Sequence, residues 1–259
     1  MDVTNRVEKF VDCRSKDVNL REVYIVEGDS ALGSCKLARD ASFQAIMPIR
    51  GKILNCLKAD YAKIFKSDII LDLVKVLGCG IEIKSKHNKN VDTFSLDNLR
   101  WNKVIICTDA DVDGFQIRTL VLTMIYRLMP TLIEAGKVYI AESPLYEISI
   151  IKTKRKGEKL FAYTDREKDQ IVARLVEEGL SKEKDEFEIK RSKGLGENQP
   201  DMMSLTTMHP ATRRLIKVTP ESMERTAMMF DILLGDNLQS RKDFIAQNGG
   251  LYMEMLDLS

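Results

Sequence analysis

The feature that most constrains this chain is a hydrophobic run that stops at alternating carboxylates: Lys103-Val-Ile-Ile-Cys107, then Thr108, then Asp109-Ala-Asp-Val-Asp-Gly114. A short β-branched run closed by polar residues is the pattern of a strand buried on both faces, as in a parallel sheet. If the backbone stays extended, the three aspartates point the same way. Carboxylates packed so closely repel, and they stay ionised together only beside a bound cation or with wide solvent access. A solvated acidic turn is the plainer alternative, but a turn does not require aspartates in strict alternation.

The same design recurs at Glu22-Val-Tyr-Ile-Val26, which runs into Glu27-Gly28, and at residues 137–141, closed by Ser143-Pro144. Ile117, Leu120, Val121, Met124, Ile125, Leu128 and Leu132 follow the aspartates at helical spacing as far as Gly136, with Pro130 expected to kink or restart the helix. Strands alternating with helices predict an α/β fold, a Rossmann-like parallel sheet flanked by helices. In such sheets functional groups gather at the carboxyl ends of the strands, so Glu27 can face the aspartates. Asp29 or Ser30 suits the cap of a helix beginning near Ala31. Glu27 precedes that cap. One carboxylate opposite Asp109, Asp111 and Asp113 suits Mg²⁺, with Mn²⁺ or Ca²⁺ as substitutes, because Mg²⁺ takes a few hard oxygens plus water and phosphate.

Two rival motifs fail on inspection. An EF-hand loop opening at Asp109 needs a bidentate Glu at its twelfth position, where Leu120 stands. A P-loop opening at Gly28 needs a Lys where Ser34 stands, so no ATPase motif is present.

Forty basic and thirty-nine acidic side chains nearly cancel, so any nucleic-acid surface must be local. Two basic glycine segments qualify: Pro48–Asn55, with Arg50 and Lys52 around a glycine, and Lys190–Glu197, with Lys193 before a glycine. The cluster Lys152, Lys154, Arg155, Lys156 and Lys159, and the mixed charges of 165–188 around Ile171 and Leu175, read instead as a charged loop and a solvated face. The five cysteines are scattered and form no C-x-x-C, which argues against a disulfide framework or zinc site and for a reducing compartment. The charged start and the lack of an apolar run near the roughly eighteen to twenty residues of a membrane span predict a cytoplasmic protein that is not exported. The expected layout is a core over 1–150, a charged excursion over 151–199 and a helical tail over 200–259, with helices at 221–234 and 238–257. His87 and His209 read as ordinary surface histidines, and Tyr24 and Tyr139 as core.

Together these segments resemble the Toprim-containing part of the bacterial gyrase and topoisomerase IV B subunits. The carriers are E-G-D-S-A at Glu27–Ala31, R-G-K-I-L-N at Arg50–Asn55, D-A-D-V-D-G with I-R-T-L at Asp109–Leu120, P-L-Y at Pro144–Tyr146, K-G-L-G-E at Lys193–Glu197 and T-T-M-x-P at Thr206–Pro210. The resemblance runs from about Lys9 to the end and implies a Toprim fold with a helical carboxyl-terminal appendage. It implies Glu27 as acid/base and metal contact, Asp109 and Asp111 as metal ligands and Asp113 as a supporting one, with Arg50, Lys52 and Lys193 on double-stranded DNA. The implied reaction is DNA cleavage and religation by an ATP-dependent type II topoisomerase, the nucleophilic tyrosine coming from a partner A subunit of gyrase or topoisomerase IV type. It also implies residence at the bacterial nucleoid. The ATPase and transducer regions that precede this part of the family are not seen, so the chain alone is expected neither to hydrolyse ATP nor to relax DNA. Leu32 replaces a usual glycine, and Phe115-Gln116 a usual Ser-His. Leu32 is expected to crowd an approaching phosphate, and Gln116 to donate a hydrogen bond without histidine's charge. A Toprim primase or nuclease, or a DNA-binding assembly module with a structural metal, are the alternatives.

Overall fold

The computed structural model describes residues 7–83, 92–192, 194–220 and 222–255. His87 and Lys193 lie outside the described residues. In chain order the elements are β1 (Glu22–Glu27), α1 (Gly28–Ala38), β2 (Gln44–Ile49), α2 (Tyr61–Ile64), α3 (Asp68–Leu77), β3 (Lys103–Cys107), α4 (Val112–Leu128), α5 (Thr131–Glu134), β4 (Val138–Glu142), β5 (Tyr146–Ile150), β6 (Lys159–Ala162), α6 (Asp165–Glu177), β7 (Phe187–Arg191), α7 (Pro200–Met203), β8 (Arg214–Lys217), α8 (Met223–Leu234) and α9 (Leu238–Asn248).

The main sheet has the order β2-β1-β3-β4-β8, with the first four strands parallel and β8 antiparallel at the edge. Successive residues of each strand enter opposite layers. Val23, Ile25, Val104 and Ile106 pack with α3, α4 and α5, while Tyr24, Val26, Ile105 and Cys107 pack with Ala31 and Cys35 of α1. Burial on both faces is why these strands read as unbroken hydrophobic runs. The chain leaves β1 through α1 to reach β2 on one side, then places β3 on the other. The connections therefore diverge between the carboxyl ends of β1 and β3, the crevice where open α/β sheets bind ligands.

Pro130 does restart the helix: α4 ends at Leu128, Pro130 precedes α5, and Gly136 follows with φ 63°. Lys152, Lys154, Arg155 and Lys156 do lie in a loop, and α6 buries Leu175 while the rest of its surface is largely solvated, but the stretch from 146 to 191 also holds a sheet that was not expected. Strands β6-β5-β7 form an antiparallel sheet that closes with α6 over Ile148, Ile150, Leu175 and Phe187. Its charges sit on the outer positions of strands such as Tyr-Glu-Ile-Ser-Ile. The helical appendage, α8 and α9, joins the main lobe through Phe230 stacked on Tyr126 at 4.3 Å, Asn55 Nδ2 donating to the Leu234 carbonyl at 3.2 Å and a Lys58–Asp236 pair.

Candidate metal and nucleic-acid site

Glu27 closes β1, and Gly28, at φ 73°, turns the chain from strand into helix within one residue. This corrects the capping expectation. The helix begins at Gly28 rather than near Ala31, so Asp29 and Ser30 lie inside its first turn, and Glu27 occupies the N-cap position without a side-chain capping bond. Glu27 Oε2 is buried with no hydrogen-bond partner. Burial, and then the charge of Asp109, raise the Glu27 pKa above the usual carboxylate value, opposed in part by the Asp109 backbone amide.

Asp109 follows β3, the strand beside β1. Its pKa is also raised, by burial first and by Asp111 and Glu197, while the Leu195 amide, donating to Oδ1 at 2.8 Å, works the other way. Asp111 keeps extended backbone and caps α4, its Oδ1 accepting from the Gly114 amide at 2.7 Å. The backbone does not stay extended beyond it. Asp113 already lies in the helix, 65% exposed, and its carboxylate meets Lys52 Nζ at 2.8 Å. The strict alternation read from the sequence thus holds for Asp109 and Asp111 and breaks at Asp113. Gly114 is required by space: a Cβ there would lie 2.1 Å from the Asp109 carbonyl.

The segment carrying Arg50 and Lys52 follows β2 and bridges both acidic segments. Arg50 Nε lies 3.6 Å from Asp29, which also pairs with Lys9, and Lys52 holds Asp113. Gln116 is exposed near the start of α4. Leu32 is half-buried and packs against the cluster containing Tyr24, Leu195 and Met203. His209 is exposed, its Nδ1 accepting from the Ala211 amide at 3.3 Å. Tyr24 is fully buried and Tyr139 packs against the same cluster.

Two groups escaped the sequence reading. The Leu195 amide reaches Asp109, and the only sequence signal is a single apolar residue between two glycines. Arg213 forms a two-pronged pair with buried Glu22, at 2.5 and 2.6 Å, and also donates to Tyr24 Oη at 2.9 Å. This network ties the T-T-M-x-P turn to the sheet at the end of β1 opposite Glu27.

Among the described residues, no three His, Cys, Asp or Glu side chains are gathered closely enough to form a complete metal cage. The donor set nonetheless fits a hard divalent cation, which needs only one or two protein carboxylates alongside water and phosphate. Partnerless buried oxygens stand at the ends of three adjacent strands: Glu27 Oε2 after β1, Thr108 Oγ1 after β3 and Ser143 Oγ after β4. Protein alone leaves this edge unsatisfied, as a site built for a polar ligand is. A cavity of about 400 Å³ opens beside it, between Asp111, Ser143, Arg191, Gly194 and Asn198.

The sheet order and the carboxylates at its switch point define a Toprim domain, and the Toprim domain model matches residues 22–143. A second model, DNA gyrase B subunit, carboxyl terminus, matches residues 184–246. The chain belongs to the DNA gyrase B-subunit family, of which it carries the Toprim and carboxyl-terminal region. It is 42% identical over 259 residues to the DNA gyrase B subunit of Halalkalibacterium halodurans, covering 100% of this chain and 37% of that relative. The relative of the same name in Thermotoga maritima is 42% identical over 250 residues, 96% of this chain and 36% of its own. The one in Archaeoglobus fulgidus is 43% identical over 244 residues, 94% and 35%. The chain thus spans somewhat over a third of the length of the curated relatives it matches. Gyrase B subunits are parts of a type II DNA topoisomerase, an isomerase, and Toprim domains bind divalent metal ions. Among the described residues no helix is long and apolar enough to cross a membrane.

Proposed function

We propose that this chain is the Mg²⁺-dependent DNA cleavage and religation module of an ATP-dependent type II topoisomerase, completed by an A subunit that brings the nucleophilic tyrosine. The observation that carries the reading is the placement of Glu27 beside Asp109 at the sheet switch point, where both carboxylates are partly buried and hold protons more tightly than usual. Asp109 and Asp111, with Glu27, would hold the ion, and Asp113 would support it. The bound ion supplies charge neutralisation at the reacting phosphate.

The chain's own residues do the rest. Glu27 would donate a proton to the deoxyribose oxygen that departs when the partner tyrosine, as its phenolate, attacks the phosphodiester, and take it back on religation. Arg50 and Lys52, now paired with Asp29 and Asp113, turn to DNA phosphates, joined by Lys193. Asp29 and Ser30, in the first turn of α1, and Gln116, near the start of α4, border this surface. The carboxyl-terminal match over 184–246 favours this reading over a Toprim primase or nuclease. The compartment that fits is the bacterial cytoplasm, at the nucleoid. Division into a core over 1–150, an excursion over 151–199 and a tail over 200–259 stays part of the proposal.

Reconstitution tests it. With a cognate A subunit, supercoiled DNA and Mg²⁺, the expected products are nicked or linear DNA covalently attached to protein, lost in Glu27→Gln. Cleavage that survives Glu27→Gln and Asp109→Asn would sink the mechanism.

A further inference from the structure

The K-G-L-G-E segment resembles a basic glycine turn, yet its described residues face the carboxylates. Leu195 donates its amide to Asp109 Oδ1 at 2.8 Å, while its side chain is buried in the cluster under α1. Gly194 is extended, with φ 173°, so any residue could adopt its backbone; only space demands glycine, because a Cβ would lie 2.8 Å from Asp109 Oδ2. Gly196 is seated the same way on α1, where a Cβ would lie 2.6 Å from Ser30 Cβ and where Ser34 Oγ donates to its carbonyl at 3.2 Å. Beyond it, Ser192 Oγ and Asn198 Oδ1 close the segment on itself at 2.6 Å.

We propose that Gly194-Leu195-Gly196 is a positioning clasp that fixes the Asp109 carboxylate and thereby sets how tightly the site holds a divalent cation. The proposal rests on the metal reading above. A charge-assisted bond from a fixed amide orients one Asp109 oxygen and leaves Oδ2 for a ligand. Outer partners of this kind govern metal affinity by about ten- to a hundredfold when removed. On the other side of the segment, the Ser192 amide, just beyond β7, donates to the Leu145 carbonyl at 2.8 Å.

The test replaces the Leu195 amide by an ester, using α-hydroxyisocaproic acid at that position, which deletes the N–H and keeps the side chain. Mn²⁺ is titrated into both proteins by electron paramagnetic resonance, with melting temperatures recorded alongside. The expected result is an Mn²⁺ dissociation constant about tenfold weaker in the ester protein, with Gly194→Ala weakened in the same direction. Identical Mn²⁺ affinities in wild type and ester protein would overturn the clasp, even if the ester lowers the melting temperature, since that is what a merely structural bond would do. A wild type that binds no Mn²⁺ would remove the metal reading, and the clasp with it.

Discussion

Replacing Arg213 by Met removes the two-pronged partner of a carboxylate that is 3% exposed. Glu22 would lose hydrogen bonds of 2.5 and 2.6 Å and keep Gln44 Nε2 at 3.1 Å and Lys103 Nζ at 3.0 Å. Removing one partner of a buried ion pair costs about 3–5 kcal/mol, and the retained lysine puts this case near the lower end, about 3 kcal/mol. At about 2–4 °C per kcal/mol for a chain of this size, the melting temperature should fall by about 6–12 °C. Differential scanning calorimetry at neutral pH reads this directly. Burial, the largest single influence, raises the Glu22 pKa, but the hydrogen bonds and charge of Arg213, together with the bonds from Gln44 and Lys103, outweigh it and the net shift is downward. Its contribution is therefore present above the ordinary Glu pKa and lost as pH falls through the depressed one, so the substituted protein should lose less stability on acidification. A fall of under about 2 °C at neutral pH would refute the reasoning about the buried pair.

At the opposite end of the sheet the sign reverses. Glu27 and Asp109 have raised pKa values, so their ionisation costs stability as pH rises through those values, and Glu27→Gln or Asp109→Asn should raise the melting temperature at neutral pH without metal. The gain should vanish below the ordinary carboxylate pKa range; a loss at neutral pH would contradict it. Lys52→Met should weaken binding of a short duplex similarly across sequences and lower the salt slope by about one, read by fluorescence anisotropy at several salt concentrations. An unchanged slope would remove Lys52 from the DNA surface.

Much of this was legible because burial on both faces leaves a direct sequence trace. The runs at 22–26, 103–107 and 137–141 became β1, β3 and β4 almost residue for residue. Strand β2 went unread because Gln-Ala-Ile-Met-Pro-Ile carries a proline, tolerable there because β2 lies at the end of the strand order. The small sheet of β5 to β7 was hidden because its strands are only four or five residues long with one apolar face, too short to stand out beside the charged loop and helix between them. Within the site, residue types and order were readable and orientation was not. Gly28 lets α1 start three residues early, and Asp111 starts α4 before Asp113, so the third aspartate sits on the helix and pairs with Lys52. The Leu195 amide is a backbone donor brought in from 86 residues away, which no local pattern reveals.

The central claim is that these carboxylates hold a divalent ion. Calorimetric titration of Mg²⁺ or Mn²⁺ into the wild type, Asp109→Asn and Asp111→Asn tests it most directly. Binding in the wild type should weaken in both variants; isotherms identical across the three proteins would show that these carboxylates do not hold the ion.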